Sequence, residues 1–154
     1  PPAVWRARRR WASRGLASLS APLLGWCADM RKGFRLWGAV VLYMAAIFYM
    51  SALSNPPVPA GTDKSLHGLA YLGLAILVLR ALVGGLPKRI GIRVAVSAFL
   101  ITVLYAATDE VHQMFVPGRM ADVLDLFADA GGAFVGTAAC WAWGIISPVS
   151  RDEL

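Results

Sequence analysis

The chain has 154 residues, 58% of them hydrophobic and only 16% charged, where a soluble domain carries roughly 25% charged residues. Together with a mean hydropathy of +0.59, this excludes an ordinary soluble enzyme. A nucleic-acid partner is not expected either, because the net charge of +6 sits in a chain made for lipid. Apolar runs near the ~20 residues that a helix needs to cross the hydrocarbon recur between short loops, so the sequence predicts an all-α membrane protein. Its expected form is a four-helix transmembrane bundle preceded by an N-terminal interfacial amphipathic helix.

Residues 1–33 form a basic N-terminal segment. Arg6, Arg8, Arg9, Arg10, Arg14, Arg31, Lys32 and, just beyond, Arg35 face Asp29 as the only acid. Ala12, Leu16, Leu19, Leu23 and Trp26 recur at helical spacing, and Arg6, Arg10 and Arg14 form a second stripe. That pattern is an amphipathic helix lying in the interface, with Trp5, Trp11 and Trp26 as anchors. Its expected partners are the bilayer and anionic headgroups, or the rim of a larger membrane complex. An arginine-rich, acid-poor head also fits a transit peptide. A secretory signal is not expected, since Pro22 interrupts the apolar stretch and no small-residue cleavage pattern follows.

Four spans are expected over about 34–53, 66–83, 92–115 and 123–146, within a transmembrane domain 34–148 followed by a tail 149–154. Pro56, Pro57 and Pro59 close the first span, Gly84, Gly85 and Pro87 the second, and Pro117 and Gly118 the third, because proline cannot continue a helix and glycine weakens one. Asp122 is placed to cap the fourth. The head and the second loop, with Lys88, Arg89 and Arg93, hold most of the basic residues, so the positive-inside rule puts both termini in the cytoplasm.

The first and third loops then face outward and carry the polar residues. Asp63, Lys64, His67 and Tyr71 open the second span; Asp109, Glu110 and Gln113 close the third; Arg119, Asp122, Asp125 and Asp129 lead into the fourth. Asp109 and Gln113, like His67 and Tyr71, stand four apart, while Asp122, Asp125 and Asp129 fall at i, i+3 and i+7, so each set makes one stripe. Ala128, Gly132 and Gly136 repeat every four residues, the small-xxx-small pattern that lets helices approach closely. Charged groups in a bilayer are costly and must face one another. Two roles fit this cluster: a hydrogen-bonded network that fixes the bundle's register, with Arg119 forked onto Asp125 or Asp109 as the main counter-charge, or an acidic site for a ligand. Six acids outnumber Lys64 and Arg119, so some carboxylates carry protons or a cation enters.

No metal and no cofactor is expected. His67 and His112 could join carboxylate oxygens around an ion, but no HExxH or comparable spacing occurs. Cys27 and Cys140 read as small buried residues rather than a bridge, Ser51 and Ser54 as turn formers, and Arg80 as a snorkelling side chain near the inner end of the second span.

In combination, Asp63-Lys64 with His67 and Tyr71, Asp109-Glu110 with Gln113, Pro117-Gly118-Arg119, Asp125, Gly132 and Gly136 resemble the VanZ-like family of small bacterial integral membrane proteins. Asp129 departs from the pattern, where the family often has Asn, and the basic head lies outside it. The resemblance implies a multi-pass protein of the bacterial inner membrane, in a family associated with low-level resistance to the glycopeptide teicoplanin, with no catalytic mechanism attached to the motif. Three functions follow as expectations. The first is a non-enzymatic envelope protein with an outward acidic site. The second is an accessory subunit docked onto a larger membrane complex through Trp5, Arg6, Arg10, Trp11, Arg14 and Trp26. The third is an intramembrane enzyme or proton-coupled carrier using Asp109, Asp125 and Asp129 with His67.

Overall fold

A computed structural model describes residues 29–55, 62–86 and 89–146. The chain divides into two compact units, 1–35 and 36–154, and the second holds the bundle. Helix α1 covers Asp29–Ser51, α2 Asp63–Leu82, α3 Ile92–Gln113 and α4 Val123–Ile146. All four are long and apolar enough to cross a membrane, and no strand occurs among the described residues. The expected amphipathic helix, its Trp5, Arg6, Arg10, Trp11, Arg14 and Trp26, and the tail 149–154 lie outside the described residues.

The helices differ from the expected spans by a few residues at their ends. α1 begins at Asp29 rather than 34, because hydropathy marks the membrane-crossing run while the helix itself continues into polar sequence. α2 starts at Asp63 rather than 66, since hydropathy again marks the apolar run and not the helix end. α3 stops at Gln113 rather than 115, because Pro117 has no N–H to donate to the Gln113 carbonyl, which accepts from the Val116 N–H at 3.0 Å instead. Asp122 accepts a hydrogen bond from the Leu124 N–H at 2.8 Å, satisfying one of the orphan donors at the start of α4.

Residue size is distributed as lipid requires. Small side chains make much of the interior: Ala75, Ala98, Ala106 and Ala133 are fully buried beside Leu74, Val78, Leu79 and the larger Tyr71. Large apolar side chains point outward, among them Leu42, Leu69, Leu104, Phe115, Phe127 and Phe134. Helices in hydrocarbon gain nothing by hiding bulk from water, so close contact through small residues decides their packing.

Among α2, α3 and α4 the α2–α4 pair is the most extensive, and glycine explains why. A Cβ on Gly132 would collide with the Gly68 carbonyl, and one on Gly136 would stand 2.7 Å from the Leu72 oxygen. Together with Ala128, whose carbonyl lies against Gly68, these residues form the surface on which α2 rests. From α1, Tyr43 reaches Gly73 on α2, and the Met44 carbonyl accepts a 2.7 Å hydrogen bond from the Tyr105 hydroxyl on α3. The chain alternates direction, so the ends of α1 and α3 meet the starts of α2 and α4 at one end of the bundle.

Candidate functional site

That end is where the polar residues gather. Ser51, the last residue of α1, donates from Oγ to Asp109 Oδ2 on α3 at 2.7 Å. Gln113, one turn beyond Asp109, offers Nε2 to the same oxygen at 3.4 Å. Asp109 is 2% exposed. Its Oδ1 is buried and has no hydrogen-bond partner among the described residues, and the same holds for the Tyr71 hydroxyl. That hydroxyl interacts electrostatically with Asp109 without meeting hydrogen-bond geometry.

Between α2 and α4 the contacts form two rungs, one turn apart. In the first, Lys64 Nζ bridges Asp122 Oδ2 at 2.7 Å and Asp125 Oδ1 at 2.9 Å. Asp122 lies outside the spans; its hydrogen bond from Lys64, and then that from the Leu124 N–H, hold its carboxyl below the usual carboxylate range. In the second rung, His67 Nδ1 lies 3.2 Å from Asp129 Oδ1, with Asp129 fully buried. The i, i+3 step from Lys64 to His67 and the i, i+4 step from Asp125 to Asp129 turn the two pairs to the same interface.

Glu110 brings α3 into the network. Its Oε2 accepts the Asp122 N–H at 3.0 Å, which ties the end of α3 to the start of α4, while Oε1 is buried without a partner among the described residues. One nitrogen of His67 and one oxygen each of Glu110 and Asp129 lie within 4.8 Å of one another. His112 stands apart, stacked on Phe48 with ring centroids 4.1 Å apart.

Arg119 departs from the expected role. No described carboxylate pairs with it, and its Nε is buried without a partner among the described residues. Lys64 supplies the counter-charge instead, because its flexible stem leaves the first turn of α2 directly opposite the first turn of α4. Gly118 has φ +82°, a left-handed conformation that glycine adopts at little cost, and it turns the chain so that Arg119 lines a cavity. The cavity holds about 350 Å³. Tyr43, Ala46, Ile47, Met50, Leu66 and Ala70 make its largely apolar wall, and Ser51, His67, Tyr71, Asp109 and Arg119 contribute its polar positions.

Of the residues expected in the cluster, Lys64, His67, Asp109, Glu110, Gln113, Asp122, Asp125 and Asp129 thus share one connected region, with Tyr71 beside Asp109 and Arg119 on the cavity. The side chain of Asp63 lies outside the described residues. Sequence reading missed Ser51, whose hydroxyl is the nearest donor to Asp109; the available signal was a serine in the final turn of an apolar helix, where a turn former was the simpler reading.

Four membrane-length helices closed at one end by a lysine, histidine and carboxylate network define a small polytopic membrane protein. The family model described as VanZ/LLP1 matches residues 34–146, and the chain belongs to that family. No curated protein and no solved structure matched it.

Proposed function

We propose that this chain is a non-enzymatic protein of the bacterial cytoplasmic membrane that binds the head of an amphiphilic compound and thereby alters the access of such compounds to the envelope. In this reading the polar end of the bundle faces outward and both termini lie inside, as the basic residues Lys88 and Arg89 in the second loop and Arg93 at the start of α3 favour. The observation that carries it is the cavity between α1, α2 and α3, which combines an apolar wall with buried polar atoms that lack partners. Ligand sites have this character: apolar area supplies affinity and a few convergent polar groups supply orientation.

The polar atoms also describe the head. Asp109 Oδ1 accepts, so the ligand brings a hydroxyl or amino donor; the Tyr71 hydroxyl and the Arg119 guanidinium donate, so it also brings an anionic or carbonyl oxygen. Glycopeptides and phosphorylated glycolipids both carry these groups on an apolar support.

The test is expression in a teicoplanin-sensitive host. The wild-type chain is expected to reduce susceptibility, while Ala70→Phe, which fills the cavity, and Arg119→Ala, which removes its cation, return it to the level of the empty vector. Unchanged susceptibility with the wild-type chain, or variants as protective as wild type at equal membrane abundance, would overturn the reading.

A further inference from the structure

We infer that His67, Glu110 and Asp129 form a binding site for a divalent metal ion of the zinc or manganese class, held between α2, α3 and α4. Three helices each contribute one ligand, and the ligand atoms lie within 4.8 Å of one another. Bonds of about 2.0–2.2 Å to an ion at their centre need these atoms only somewhat closer. No local motif announces such a site, since its members are 43 and 19 residues apart along the chain.

A cluster of acids alone would not define a metal site, and the independent observation is at Glu110. This residue is 7% exposed. One carboxylate oxygen is taken by the Asp122 N–H; the other, Oε1, is buried and accepts no hydrogen bond from any described residue. Leaving a buried charged acceptor empty is costly, and here the empty acceptor belongs to a carboxylate grouped with a second carboxylate and an imidazole. The nearby cation does not answer the need, because Lys64 is engaged by Asp122 and Asp125. A divalent ion neutralises Glu110 and Asp129 together and fills the orphan oxygen.

The donor set selects the ion. One imidazole with two carboxylates suits Zn²⁺ or Mn²⁺, whereas Ca²⁺ and Mg²⁺ favour oxygen ligands alone. Three protein ligands leave at least one coordination position for water or a ligand group, the arrangement of open rather than closed zinc sites. His67 also lines the cavity, so the metal borders it. The inference stands independently of what the cavity binds.

The experiment uses the full chain, purified in detergent with a tag that contains no histidine, stripped with a chelator and dialysed against Zn²⁺ or Mn²⁺ salts. One equivalent per chain is expected, with at least tenfold weaker binding in His67→Ala, Glu110→Gln and Asp129→Asn and undiminished binding in His112→Gln, which removes the other histidine. Should a variant misfold, the wild-type chain still decides: pulsed electron paramagnetic resonance of bound Mn²⁺ must show the ¹⁴N modulation of an imidazole, and must lose it on ¹⁵N-histidine labelling. Absence of stoichiometric metal, metal without a nitrogen ligand, or equal binding by a triple variant lacking all three ligands would overturn the proposal.

Discussion

Ser51 and Ser54 look alike in sequence, two serines at the close of an apolar run, yet their surroundings differ. Ser51 is buried and its hydroxyl donates to Asp109 at 2.7 Å, while Ser54 is exposed in the turn beyond. Removing the Ser51 hydroxyl leaves Asp109 Oδ2, among the described residues, with only the longer contact from Gln113. Ser51→Ala is therefore expected to lower stability by about 1 kcal/mol, the usual scale of such a bond in protein or membrane, and Ser54→Ala to stay within about 0.5 kcal/mol. Reversible unfolding in mixed micelles measures both, and equal effects would show that the Ser51–Asp109 bond contributes nothing. The same scale explains why Lys64 rather than Arg119 serves as counter-charge. Sequence shows which charges sit near one end of the bundle, but reach and direction choose the pairs. Lys64 starts opposite Asp122 and Asp125, whereas Arg119 leaves a glycine turn toward the cavity.

Within single elements, period carried the reading and contact between elements lay beyond it. Spacing alone puts Asp122, Asp125 and Asp129 on one stripe leading into α4, and Ala128, Gly132 and Gly136 on a stripe that begins on nearly the same face; that both turn to α2 follows only from the fold. The grouping of His67, Glu110 and Asp129 was invisible for the same reason, since it joins three helices and repeats at no period. The glycine stripe gives a paired prediction from adjacent residues. Gly131 has open space where a Cβ would stand, while a Cβ on Gly132 would enter the Gly68 backbone. Gly131→Ala should then be neutral or stabilising by up to about 1 kcal/mol, as alanine is the better helix former. Gly132→Ala should destabilise by about 1–3 kcal/mol, the range for overpacking, because two backbones must separate and no flexible side chain can yield. Thermal melting of the purified variants in detergent checks the pair, and similar melting temperatures would show that α2 and α4 do not pack this closely.

The whole molecule was the most legible level, because punctuation and hydropathy act locally. Pro117 and Gly118 end α3, Asp122 caps α4, and hydrocarbon length sets what lies between; each residue says so without knowing its neighbours in space. Orientation is different in kind, since a bundle folds identically either way up and only the flanking charges distinguish the sides. Arg89 and Arg93 lie at the end of the bundle opposite the carboxylate network. In the proposed orientation this basic end lies in the cytoplasm and the acidic end faces out. Single cysteines read this directly after Cys27 and Cys140 are replaced by serine. Met120 is 86% exposed in the loop before α4, and Arg89 is exposed ahead of α3. In spheroplasts, a membrane-impermeant maleimide is expected to label Met120→Cys at once and Arg89→Cys only after permeabilisation. The reverse pattern would place the carboxylates, the cavity and the inferred metal site on the cytoplasmic side, where an envelope compound arriving from outside could not reach them without crossing the bilayer.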